Sequence, residues 1–148
     1  MRIGEMMTSR VETVPAGESA ENALRRIRAK RIHHLVVPLE AGAVGVVSAR
    51  DLDSLERDRS LCTVADLMSA PAVTAEPRMT IRQAANLLRG RTIGCLPVLE
   101  NGKLVGILTT TDLLELIGCA SERPVSKGKR WVMKGRGARR KAVAAGRA

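Results

Sequence analysis

Gly45-Val46-Val47-Ser48-Ala49-Arg50-Asp51 and Gly106-Ile107-Leu108-Thr109-Thr110-Thr111-Asp112 are one pattern written twice, 61 residues apart. Each reads glycine, two aliphatics, a hydroxyl residue, two variable positions and aspartate. Carried outward at the same shift, Ile3 to Leu52 lies on Val64 to Leu113 without a gap, about three quarters of the 148 residues. Met7/Met68, Thr13/Thr74, Ala23/Ala84, Ile32/Ile93, Leu35/Leu96 and Val37/Val98 coincide. Two copies are too few for a solenoid, which needs three or more to bury a continuous core. The expectation is one pseudo-symmetric domain whose halves bury their faces against each other, leaving two equivalent clefts between them.

Within each copy the same elements follow in order. An extended segment, Val11 to Val14 or Ala72 to Ala75, precedes Pro15 or Pro77, and proline favours extended chain before it. Ser19 and Thr80 are good N-caps, and Thr80-Ile81-Arg82-Gln83 is a capping box. Ala23, Leu24 and Ile27, or Ala84, Leu87 and Leu88, give the helix that follows an apolar stripe. Two short strands come next, joined by Glu40-Ala41-Gly42 or by Glu100-Asn101-Gly102, and Asn-Gly between apolar runs is a hairpin signal. A helix over about 49–56 or 110–117 closes each copy. The chain is therefore α/β, reading β-α-β-β-α twice, with repeats over 1–57 and 58–118 and a tail over 119–148.

Composition narrows the class. Hydrophobic residues make up 45% of the chain, Phe and Tyr are absent, and Trp131 is the sole aromatic, so the core is aliphatic. Stacking platforms for single-stranded nucleic acid are missing with the aromatics. The net charge of +10 is uneven: residues 1–118 hold 15 Lys/Arg against 14 Asp/Glu, and the last thirty hold ten against Glu122 alone. Cys62, Cys95 and Cys119 form no C-x-x-C pair, which fits a reducing compartment. The start lacks the apolar core of a signal peptide, and no run nears the roughly 18 apolar residues of a membrane span, so a soluble cytoplasmic protein is expected.

The doubled closing motif carries the chemistry. S/T-x-x-D before an apolar helix is a capping arrangement that serves stability alone. A second use is open to it, because the motif occurs twice, each time after a strand carrying glycine, and such a glycine often marks close approach by a ligand or another backbone. The Asp51 or Asp112 carboxylate has acceptors enough for both hydroxyls of a ribose. The Ser48 or Thr109 hydroxyl and the free amides of the first helical turn suit phosphate. His33-His34 is a weak metal candidate, since neighbours along a strand point to opposite faces. No nucleophile–base pair, P-loop or Rossmann pattern is present, so catalysis is not expected.

The repeat order, Ile32-His33-His34-Leu35-Val36-Val37, Ile93-Gly94-Cys95-Leu96-Pro97-Val98 and both closing motifs resemble paired cystathionine-β-synthase (CBS) domains over residues 3–117. The resemblance implies a pseudo-two-fold Bateman module: two repeats packed through their small sheets, regulatory, without catalysis, pairing into a homodimer and binding adenosine ligands between the repeats. AMP, ADP or ATP would be the ligand, with S-adenosylmethionine or a cyclic dinucleotide as alternatives, and no cofactor is required. Asp51 and Asp112 resemble the ribose-binding aspartates, and Ser48 and Thr109 the hydroxyl contacts. Thr13, Val14, Thr74 and Ala75 match the segment against the adenine. His33, His34 and Arg50 fall near the phosphates; their counterparts Gly94, Cys95 and Thr111 carry no cation.

The tail, with its excess of nine positive charges and little apolar periodicity, reads as flexible. It is either a solubilising end or an electrostatic anchor for nucleic acid. The main reading is an adenosine-nucleotide sensor acting on a regulated protein partner. The alternative is a nucleic-acid-associated protein that uses the CBS core as a dimerisation scaffold and the tail as its anchor.

Overall fold

In a computed structural model of the chain, residues 1–54 and 58–119 are described. The chain divides into a unit over Met1–Leu114 and a second over Glu115–Ala148. Of the basic tail read from the sequence, residues 120–148, with Trp131, lie outside the described residues, as does Glu56 at the end of the second expected helix.

In the first repeat, α1 spans Ala20–Lys30, β1 His34–Pro38, β2 Val44–Ser48 and α2 Ala49–Asp53. A short helix α3, Val64–Leu67, leads to the second repeat, with α4 over Ile81–Arg91, β3 Cys95–Glu100, β4 Lys103–Thr109 and α5 Thr110–Cys119. The Asn22 amide donates to Ser19 Oγ at 3.1 Å, and the Gln83 amide to Thr80 Oγ1 at 3.2 Å, so α1 and α4 start where the caps place them. Arg31 and Thr92, in left-handed conformation at φ 54° and 53°, end them one residue after the last helical turn. Among the described residues no helix is long and apolar enough to cross a membrane.

Each hairpin forms its own two-stranded antiparallel sheet, β1 with β2 and β3 with β4. Both turns place two successive residues at positive φ, Ala41-Gly42 at 58° and 74° and Asn101-Gly102 at 52° and 75°. Alanine at 41 thus takes the same left-handed position that asparagine takes at 101.

The leading segment of each repeat is extended and pairs in parallel over one bridge, Thr13 with Val36 and Ala75 with Val98. Two prolines account for how the bridges stop. Both repeats make the same central bond, the Val14 amide to Val36 O at 3.0 Å and the Ala75 amide to Pro97 O at 2.9 Å. The first repeat adds the Val36 amide to Glu12 O at 3.1 Å, which Pro97, at the matching position, has no N–H to make. The second adds the Leu99 amide to Ala75 O at 2.9 Å, which Pro38 has no N–H to make.

The stretches ahead of these segments cross over. Ile3 and Gly4 donate to the carbonyls of Met79 and Pro77 at 2.9 and 3.0 Å, and Thr8 exchanges two 3.0 Å bonds with Ile107. The counterparts 61 residues on do the reverse: Val64 and Ala65 donate to Glu18 and Ala16, and Ser69 exchanges two bonds with Val46. Each repeat is thus edged by the lead-in of the other. Ile3 joins the second core, among Ala75, Leu88, Leu96, Val98 and Leu108. Val64 joins the first, among Leu24, Ile27, Leu35, Val37, Val47 and Leu52. The crossing also explains the strand glycines. A Cβ on Gly45 would stand 2.9 Å from Met68 Sδ and 3.3 Å from Ser69 O. One on Gly106 would meet Met7 Sδ, and Thr8 O at 3.1 Å. What approaches these glycines is the other repeat's lead-in rather than a ligand.

Candidate functional site

β2 runs directly into α2, so Ser48 ends the strand and caps the helix. Its amide donates to Asp51 Oδ2 at 2.9 Å, and the Asp51 amide donates back to Ser48 Oγ at 3.1 Å. Thr109 and Asp112 repeat the exchange at the start of α5, at 2.7 and 3.2 Å. The capping use of the motif is therefore present in both repeats. It leaves chemistry to spare: each carboxylate has one oxygen in its box, and the other makes no hydrogen bond among the described residues. The Ser48 hydroxyl, which accepts in the box, still has its O–H to donate.

Asp51 lines a cleft of about 640 Å³. From the first repeat come His33, His34, Val46, Ser48, Ala49 and Arg50. The crossing lead-in supplies Ser69, Pro71, Ala72 and Val73. Thr92, Ile93, Gly94, Cys95 and Thr110 of the second repeat close it. The lining mixes apolar side chains, Val46, Pro71, Val73 and Ile93 among them, with a guanidinium, a carboxylate, two imidazoles and the hydroxyls of Ser48, Ser69, Thr92 and Thr110. That volume and mixture fit a small ligand with both polar and apolar parts.

Burial holds the His34 imidazole below its usual 6.5; neighbouring His33 adds to the effect, and Asp51 opposes it. A neutral His34 at pH 7 is a hydrogen-bonding group, so the fixed positive charge of the cleft is Arg50. Cys95, buried against the same cleft, has its thiol pushed up to about 12 by desolvation and stays protonated. Such a thiol is a poor nucleophile and metal ligand. Among the described residues no three His, Cys, Asp or Glu side chains converge as a metal site.

His33, His34, Ser48, Arg50 and Asp51 are therefore brought together. Thr109 and Asp112 form the equivalent box of the second repeat. Val14 and Ala75 are 1% and 3% exposed, packed into the first and second cores, and their neighbours Thr13 and Thr74 are half-buried. None of these four lines the cleft with Asp51. His33 and His34 share the cleft even though they are neighbours, because His33 precedes β1 and strand alternation does not govern it. Ala72 and Val73 were read only as extended chain and Pro71 not at all, so their place in the cleft was missed. Their signal was the repeat itself, once the lead-in is known to cross over.

Comparison with known proteins places this geometry. The sequence matches the CBS domain family twice, at residues 3–56 and 64–118. A CBS domain-containing protein of Dictyostelium discoideum is 31% identical over 131 residues, covering 78% of this chain and 90% of that protein. The structure of a putative signal-transduction protein with CBS domains from Burkholderia ambifaria superposes with a TM-score of 0.77 at 22% identity, over 85% of this chain and all of that one. CBSX2, solved in complex with AMP, gives a TM-score of 0.69 at 27% identity, over 80% of this chain and 97% of that one. Two matched segments, two β-hairpins each edged by the other repeat's lead-in, and a closing motif repeated at 61 residues lead to one conclusion: the chain belongs to the CBS domain family and carries a tandem pair.

Proposed function

We propose that the chain is a regulatory CBS pair that senses an adenosine nucleotide in the cleft beside Asp51 and has no catalysis of its own. The observation that carries this reading is Asp51 itself, with one oxygen held by Ser48 and the other unused in a cleft shared with Arg50. The uncommitted oxygen suits the ribose hydroxyls. The apolar lining residues Pro71, Ala72, Val73 and Ile93 suit a purine, and Arg50 suits the phosphate. CBSX2 bound to AMP is a relative of the same fold. Thermal shift against AMP, ADP, ATP, S-adenosylmethionine and a cyclic dinucleotide tests it. A ligand at 100 times its dissociation constant should add about 2.7 kcal/mol of stability. No shift with any of the five would overturn the reading.

The reading includes a homodimer. Leu61 is 82% exposed and Leu114, on α5, 68% exposed, which is apolar surface a partner copy would cover. Light scattering should give twice the chain mass, and a clean monomer at high micromolar concentration would contradict it. A second reading rests on the charge of the last thirty residues: binding to nucleic acid through the tail. Its test is the salt dependence of duplex binding, with a log–log slope of about −0.9 per phosphate neutralised.

A further inference from the structure

His34 opens β1 at the cleft wall, half-buried. A Cβ on Gly94 would stand 2.9 Å from its Nε2 and 3.1 Å from its Cε1. Glycine at 94 is therefore what lets the imidazole reach across to the second repeat. Among the described residues the ring makes no hydrogen bond, so it has a donor and an acceptor to offer a ligand. The groups around it are few. His33 precedes it, α2 brings Arg50 and Asp51, and β3 brings the protonated Cys95 thiol. β2 and α5 contribute the hydroxyls of Ser48 and Thr110. Burial keeps the free ring neutral near pH 7. An anion entering this cleft brings negative charge beside the ring and acts against burial, favouring the imidazolium. The counterpart of His34 at the 61-residue shift is Cys95, which stays neutral throughout, so the property belongs to one of the two repeats.

We propose that His34 makes anion binding in this cleft proton-linked: an anionic ligand enters together with a proton from solvent that lodges on the His34 imidazole, so acidification tightens binding. This rests on the nucleotide reading above. By linkage, each unit by which the bound ligand raises the imidazole pKa is about a tenfold gain in affinity between alkaline and acid limits.

The chain has two histidines, so their ring resonances are readily resolved by NMR, and His33→Gln identifies the one that remains. The full chain is titrated with and without saturating AMP, and AMP affinity is measured by calorimetry across the same range for wild type and His34→Gln. The His34 pKa should rise by about one unit or more in the complex. The variant should show a shallower gain in affinity on acidification; protonation of free AMP is common to both measurements, so the difference between the two profiles reports the coupled His34–phosphate pair. If AMP binds and the His34 pKa stays where it was, the proposal is overturned while the nucleotide reading stands. If AMP does not bind, the same titration is run with whichever nucleotide of the panel does, and failure of all of them to bind overturns both. The wild-type NMR titration does not depend on His34→Gln folding.

Discussion

Met68 Sδ lies 2.9 Å from where a Cβ on Gly45 would stand, and its counterpart Met7 meets the same point on Gly106. The two contacts differ in what must yield. At Gly45 the nearest backbone atom is Ser69 O at 3.3 Å, whereas at Gly106 Thr8 O is at 3.1 Å and Met7 Cγ at 2.9 Å. A thioether swings aside easily; a hydrogen-bonded carbonyl does not. Gly45→Ala and Gly106→Ala should each cost about 1–3 kcal/mol, the range for overpacking, with Gly106→Ala the larger. Met7→Ala should rescue Gly106→Ala only in part. Denaturant melts of the set decide, and equal losses at both glycines would remove the backbone argument.

Asp51 has two duties, and a pair of substitutions separates them. Asp51→Ala removes both the carboxylate's half of the capping box and the ligand acceptor, and leaves the Asp51 amide on Ser48 Oγ. Asp51→Asn keeps one oxygen to accept from the Ser48 amide while losing the charge and an acceptor. The alanine variant should lose about 0.5–2 kcal/mol of stability and the asparagine variant much less. Both should lose AMP affinity, by about 1.5–3 kcal/mol if a good hydrogen bond to the charged group is lost. AMP affinity unchanged in both would leave the motif as a cap and nothing more.

The order of elements was legible because each has a local cause. Ser19 and Thr80 start helices, Asn101-Gly102 turns a hairpin, and the 61-residue shift extends those signals to weaker copies such as Ala41-Gly42. The crossing of the lead-ins was not legible. Residues 1–8 and 62–69 align under the shift whether each packs on its own repeat or on the other, so the pairing of Ile3 with Met79 leaves no trace in the sequence. What depends on the crossing was lost with it: the apolar lining from Pro71 to Val73, and the methionines behind the strand glycines. A glycine in a strand says that something comes close, and only the structure says what.

His34 also sets a pH dependence of stability. Its folded-state pKa lies below the usual 6.5, so the unfolded chain binds the proton first as pH falls. Above 6.5 both states hold a neutral ring and nothing is lost. As pH drops through 6.5 toward the folded-state value, stability declines, because protons accumulate on the unfolded state. His34→Gln should flatten this part of the profile, measured as denaturation midpoint against pH. A profile equally steep in the variant would show that other groups carry it.

Ile3 supplies the last test, because it asks the third residue of the chain to hold together a region some eighty positions away. Ile3 is fully buried in the second core, and its amide donates to Met79 O at 2.9 Å. Ile3→Ala should therefore cost about 2–5 kcal/mol, the range for a core cavity. The loss should also have an address. Hydrogen exchange should show protection falling first in α4, β3 and β4, while α1, β1 and β2 hold longer. Val64→Ala, the counterpart in the first core, should reverse the pattern. A change below about 0.5 kcal/mol in Ile3→Ala, the scale of an ordinary surface substitution, would show that the N-terminal lead-in is an ornament on the second repeat. Protection lost first in α1 and β1 would show that it belongs to the first.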